Sequence, residues 1–148
     1  MSFSIKRKAA AEWNGTVENG AGTISLGSGA FEGPYSLRAR IAEQPQVNPE
    51  ELVGAGHAAC FAMSLSSLLD NAGVAEKRVT ATATVRLAQT DTGFEISEIV
   101  LDAEAEADGI DEQAFQQLAQ QAKDTCPISR ALAGTAITLQ AKLRSRSV

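Results

Sequence analysis

The chain reads as an α+β protein, with largely antiparallel sheet packed on one long, apolar, buried central helix. Three observations carry that expectation. Segments alternating apolar and polar residues with a period of two flank a run of about twenty apolar or small residues between Asn48 and Gly73. Turn-forming glycines punctuate the first third, and a second amphipathic helical pattern precedes the final alternating segment. With 148 residues, of which 44% are hydrophobic, the chain can remove about 70% of its unfolded surface from water, so a single domain over residues 1–148 is expected.

The N-terminal third predicts a meander of short strands broken at Asn19-Gly20 and Gly27-Ser28-Gly29. From Tyr35 to Ile41 the apolar set Tyr35, Leu37, Ala39 and Ile41 alternates with Ser36, Arg38 and Arg40, the pattern of a strand with both arginines on its wet face. Val47-Asn48-Pro49-Glu50-Glu51-Leu52 then supplies an Asn N-cap, Pro at N1 and a Val47–Leu52 staple. The helix it starts should run to about Ala72, with Gly73 in the left-handed stop position, and its composition predicts burial on every side. His57 and Ser64, Ser66 and Ser67 interrupt the run, which favours burial in protein over a membrane span.

Val79 to Leu87 alternates as a half-buried strand, and Thr90-Asp91-Thr92-Gly93 closes a hairpin. The returning strand changes phase between Ile96 and Ile99, which predicts a bulge near Ser97 or Glu98. Asp111 caps a second helix whose apolar face is Phe115, Leu118, Ala119 and Ala122. Cys126-Pro127 gives the N-cap and N1 of a short third helix ending by Gly134, and Ile137 to Leu143 alternates as a last strand.

Charge and chemistry narrow the function. A net charge of -5 and a pI near 4.9 leave no basic cluster to release counterions from nucleic acid. The basic N-terminus has no apolar stretch behind it, so no secretory signal is read and a cytoplasmic location is expected. Two cysteines in a reducing compartment point to thiol chemistry rather than to a structural bridge. Cys126, at a helix start, meets unpaired N–H groups that favour thiolate, and Cys60 lies in an apolar helix where a sulfenic acid could form and condense with it. A thiolate there needs a cation, and Arg38 and Arg40 are the candidates, with Glu50 available to orient a guanidinium. Glu50 and Cys60 lie ten positions apart, about 15 Å along a helix. An extended arginine, a bent helix or a second subunit must therefore bridge them, and the last option makes a homodimer. His57, three residues before Cys60, raises a cysteine hydrolase or a metal site as rivals. Neither a nucleophile turn nor ligand spacing supports them, and a structural His57 is the plainer reading.

The segment Asn48-Pro49-Glu50-Glu51-Leu52-Val53-Gly54-Ala55-Gly56-His57-Ala58-Ala59-Cys60-Phe61 closely resembles the helix motif of the OsmC family of peroxidases. Trp13-Asn14-Gly15, Pro34-Tyr35, Gly109-Ile110-Asp111 and Cys126-Pro127-Ile128-Ser129 fall where that family has similar segments. The resemblance implies an OsmC-like fold, an intertwined homodimer with two long central helices between sheets, and reduction of organic and lipid hydroperoxides. It makes Cys60 the peroxidatic thiolate, Cys126 the resolving thiol, Glu50 the orienting carboxylate and Arg40 the activating arginine, with Arg38 as a substitute. An external dithiol, lipoyl or another small one, would reset the enzyme, with no cofactor or metal. The non-enzymatic alternative is a binding module that uses the cysteines as a redox switch.

Overall fold

A computed structural model describes residues 2–146. The chain divides into two compact units, Met1–Leu52 and Val53–Val148.

In the first unit β1 (Ala9–Asn14), β2 (Ala21–Leu26) and β3 (Glu32–Tyr35) form the expected antiparallel meander. The strand expected through Ile41 stops at Tyr35, and Leu37–Ile41 is instead a one-turn helix, α1. Ser36 ends the strand by capping that turn, its Oγ accepting from the Ala39 N–H at 3.2 Å. Successive residues of a helix point about 100° apart, so Arg38 and Arg40 do not share a face.

Helix α2 (Pro49–Asn71) begins in the first unit and continues into the second. Its start is as read: Asn48 Oδ1 accepts from the Glu51 N–H at 2.9 Å. Its end is a Schellman stop. Gly73 takes φ +86°, the Val74 N–H returns to Leu69 O at 2.9 Å and the Gly73 N–H to Asp70 O at 3.0 Å. Length and composition would allow α2 to cross a membrane. It is, however, a core helix on one side only: His57, Phe61, Leu65 and Leu69 recur at helical spacing and are each 0% exposed. Burial on every side is not observed, because the single chain covers one face and leaves Ala55, Gly56, Ala59 and Met63 exposed.

The second unit is a three-stranded sheet of β4 (Lys77–Thr90), β5 (Gly93–Ala107) and β6 (Ala136–Arg144), with β5 central. β4 and β5 are the expected hairpin. Arg86 pairs with Glu98 and Leu87 with Ile96, so Ser97 is the extra residue of the bulge. β6 runs parallel to β5. That direction requires a crossover, and the helices α3 (Glu112–Thr125) and α4 (Pro127–Ala131) supply it. Leu101, Ala103, Ala105 and Ala107 of β5 meet Phe61, Leu65 and Leu69 of α2 and Phe115, Ala119 and Ala122 of α3 in one core. Small residues on β5 let two helices share one sheet face. Gly54 does the same on α2, since a Cβ there would sit 3.3 Å from the Ala83 carbonyl oxygen and from a Val85 methyl.

Candidate active site

Cys126 joins two helices. Its N–H closes α3 on the Ala122 carbonyl at 3.0 Å, and its side chain caps α4, with Sγ accepting from the Ser129 N–H at 3.3 Å. Pro127 at N1 has no N–H to satisfy and pre-sets the turn. The thiol, only 1% exposed, also donates to Ser129 Oγ at 3.2 Å. Ser129 Oγ in turn lies 2.8 Å from Nε2 of His57, which is fully buried. Desolvation holds the His57 pKa below its usual value, so the ring is neutral near pH 7.

Cys60 is half-buried on the same turn region of α2 and is a free thiol, as is Cys126. Its pKa is raised. Desolvation is the main cause and hydrogen bonding to the Cys126 sulfur adds to it, while the Ile128 N–H and the Ser64 hydroxyl pull the other way. The Ser129 N–H thus holds the Cys126 sulfur, and the Ile128 N–H beside it lowers the Cys60 pKa. None of the groups that set the Cys60 thiol within Val53–Val148 is a cation.

The other two predicted residues pair in the first unit. Arg40 Nε donates to Glu50 Oε1 at 2.7 Å. Two further bonds fix that geometry: Asn48 Nδ2 holds the Ala39 carbonyl at 3.2 Å, and Ser36 Oγ bonds Gln46 Oε1 at 3.0 Å. Glu50 is 8% exposed, and its Oε2 has no partner among the described residues. The Arg40 guanidinium is more open and forms one wall of a cavity of about 180 Å³ lined by Trp13, Val17, Tyr35, Leu37 and Pro49. Arg38 is exposed and takes no part in the pair with Glu50.

The four predicted residues therefore form two pairs, Arg40 with Glu50 and Cys60 with Cys126. Sequence reasoning left Ser129 and the Ile128 N–H without a role and read His57 as structural. The available signal for Ser129 was its place three residues after the Cys126 N-cap. No group of three or more His, Cys, Asp or Glu side chains suited to a metal occurs among the described residues.

Two free thiols, one on a central helix and one at a helix start, near enough that Cys126 raises the Cys60 pKa, are what a dithiol redox protein of the α+β class needs. Comparison with known proteins makes the class specific. The family model described as OsmC-like protein matches residues 42–142. Peroxiredoxin OsmC of Escherichia coli is 41% identical over 144 residues, covering 97% of this chain and 100% of the relative. The organic hydroperoxide resistance protein OhrA of Bacillus subtilis is 29% identical over 102 residues, 68% of this chain and 70% of its own. Among solved structures, an organic hydroperoxide resistance protein from Elizabethkingia anophelis superposes with a TM-score of 0.75 at 26% identity, covering 99% of this chain and 100% of that one. The chain belongs to the OsmC family. It is a cysteine-based peroxidase, and its function is the detoxification of peroxide.

Proposed function

We propose that the protein reduces organic hydroperoxides to alcohols in the cytoplasm, with Cys60 as peroxidatic and Cys126 as resolving cysteine. The Cys60 thiolate attacks the distal peroxide oxygen, the O–O bond breaks, and the alkoxide leaves as the alcohol after taking up a proton. Cys126 then displaces hydroxide from the sulfenic acid, a disulfide forms, and one water is released. An external dithiol, lipoyl or another small one, returns both thiols. The observation that carries this reading is that Cys126 and the Ile128 N–H at the α4 start both act on the Cys60 thiol, while the Ser129 N–H holds the Cys126 sulfur.

Arg40 supplies the cation that Cys60 lacks, and Glu50 orients it. A homodimer provides the route, one copy offering its Arg40–Glu50 pair to Cys60 of the other. Three facts support this: the distance of about 15 Å between residues 50 and 60 along α2, the absence of a cation among the groups acting on Cys60 within its own unit, and the apolar α2 face that the single chain leaves open. The cavity beside Arg40, walled by Trp13, Val17 and Leu37, suits an alkyl or aryl group better than hydrogen peroxide. The names of the relatives in Bacillus subtilis and Elizabethkingia anophelis agree with that substrate class.

The test is a thiol titration and intact-mass measurement after one equivalent of cumene hydroperoxide, followed by turnover with a dithiol. Loss of both thiols as an internal disulfide, no reaction in Cys60→Ser and a single round in Cys126→Ser are expected. Peroxide consumption by Cys60→Ser at the wild-type rate would refute the assignment. A protein that reacts once and cannot be reset by any dithiol would be a switch rather than an enzyme.

A further inference from the structure

We propose that His57, acting through the Ser129 hydroxyl, takes the proton that Cys126 must lose as it closes the disulfide, and returns it to the hydroxide leaving Cys60. This rests on the reading of Cys126 as the resolving thiol.

With Nε2 of His57 as the acceptor, the hydrogen bonds run in one direction. Ser129 has a single hydroxyl proton and two partners, Cys126 Sγ at 3.2 Å and His57 Nε2 at 2.8 Å. A neutral imidazole with Nε2 as acceptor receives that proton, so the hydroxyl oxygen is left to accept the Cys126 S–H. The chain then runs from the Cys126 thiol to Ser129 to His57. The Ser129 N–H completes it by holding the Cys126 sulfur at 3.3 Å, where negative charge develops when the proton leaves. Cys126, Ser129 and His57 are all buried, at 1%, 5% and 0% exposure, so bulk water has poor access to the thiol proton and an internal acceptor takes the place of solvent.

A buried histidine kept only for packing would have both ring nitrogens satisfied. Here Nδ1 has no partner among the described residues, an arrangement that leaves about 1–3 kcal/mol of lost hydration uncompensated. Cys60 lies at i+3 from His57 on α2, where side chains are neighbours. The ring is thus linked through Ser129 to the proton donor and is one helical turn from the residue that bears the leaving group. Bonds balance as follows: the Cys126 S–H breaks, its electron pair makes the S–S bond, and the Cys60 S–O bond breaks. The thiol proton passes to Ser129 Oγ while the hydroxyl proton passes to Nε2. The imidazolium, disfavoured by burial, protonates the departing hydroxide, so one sulfenic acid and one thiol give one disulfide and one water. Cys126 at the α3–α4 junction is linked to the ring through Ser129, and Cys60 is the titratable residue one turn along its own helix. No carboxylate or ammonium hydrogen-bonds it among the described residues.

The experiment follows the full-length protein by rapid quench and intact mass after one equivalent of cumene hydroperoxide, separating the sulfenic form (one oxygen gained) from the disulfide (two hydrogens lost). In the wild type, closure should be level above about pH 7, where His57 is already neutral. In Ser129→Ala and His57→Gln, closure should slow about tenfold or more relative to sulfenic-acid formation in the same protein. It should also gain a rise with pH, because hydroxide must now remove the proton. Ser129→Thr, which keeps the hydroxyl, should restore the level profile. Closure that keeps the wild-type pH profile in both Ser129→Ala and His57→Gln, whatever its absolute rate, overturns the relay. Should His57→Gln fail to fold, Ser129→Ala alone decides. A wild-type protein that never passes from the sulfenic form to the disulfide overturns the resolving role of Cys126 as well, an outcome distinct from an unchanged profile.

Discussion

Replacing Glu50 by Gln keeps the shape of the side chain that holds Arg40 and removes its charge, so it isolates the orienting role proposed for the carboxylate. The bond at stake is short, 2.7 Å from Arg40 Nε to Glu50 Oε1, and the carboxylate is 8% exposed, so water does not replace what is lost. Charge-assisted bonds contribute about 1.5–3 kcal/mol and neutral ones about half as much. Arg40 is more open to solvent than its partner, which argues for the lower part of that range. A loss of about 1 kcal/mol in holding the guanidinium corresponds to roughly a fivefold to tenfold fall in the second-order rate constant for cumene hydroperoxide. Arg40→Lys should fall further, by about a hundredfold, because one ammonium cannot hold Glu50 sideways and present separate donors to sulfur and peroxide. Stopped-flow single-turnover measurement of peroxide consumption reads both. A Glu50→Gln rate within about twofold of wild type, together with an undiminished Arg40→Lys rate, would refute the coupling of this pair to Cys60.

Three further outcomes follow from the same geometry. Across a series of primary alkyl hydroperoxides, kcat/KM should rise about fourfold for each buried CH₂ until the cavity beside Arg40 is full, and Trp13→Ala should flatten the series; equal rates throughout would remove the cavity from the substrate path. Because burial lowers the His57 pKa, the folded state resists protonating a ring that the unfolded chain protonates readily. The stability this provides is complete above about pH 6.5 and is lost as pH falls through the depressed folded value, with a slope of up to about 1.4 kcal/mol per pH unit. Urea melts of wild type and His57→Gln between about pH 7 and 5 should converge by that slope, and parallel curves would contradict it. Cys126→Ala should lose about 1 kcal/mol from the missing cap whereas Cys126→Ser, a good N-cap residue, should not, and equal melting temperatures would show that the sulfur does not cap α4.

The parts of this protein that were legible in its sequence are those in which one residue type has one local use. Asn48-Pro49 and Gly73 bracket α2 because the first pair favours a helix start and a left-handed residue closes it. Cys126-Pro127 marked α4 for the same reason, and the phase change between Ile96 and Ile99 located the bulge at Ser97. α1 was not legible, because five residues are too few for a 3.6 period to show against the alternation of Leu37, Ala39 and Ile41. Only Ser36, as a cap, distinguishes the two. The direction of β6 is also invisible in alternation, which is the same for parallel and antiparallel neighbours. The composition of α2 records every surface that must be covered, including the one this chain leaves open, so it could not say which face the chain itself would bury.

The site divides along a similar line. Cys60, Cys126, Arg40 and Glu50 were candidates in the sequence, with roles that the family resemblance implied, but their pairing depends on how α1 and α4 return the chain to α2. The balance at Cys60 shows why the second pair matters. Desolvation outweighs the Ile128 N–H and the Ser64 hydroxyl, so within Val53–Val148 the resting state of this sulfur is the thiol. Two hydrogen-bond donors suffice to aim a sulfur, but not to ionise it, because neither carries charge. A guanidinium held by Glu50 does carry charge, and it also offers donors to a peroxide. In the proposed reaction that group would ionise Cys60, and the buried His57–Ser129 chain would serve the later step in which Cys126 gives up its proton.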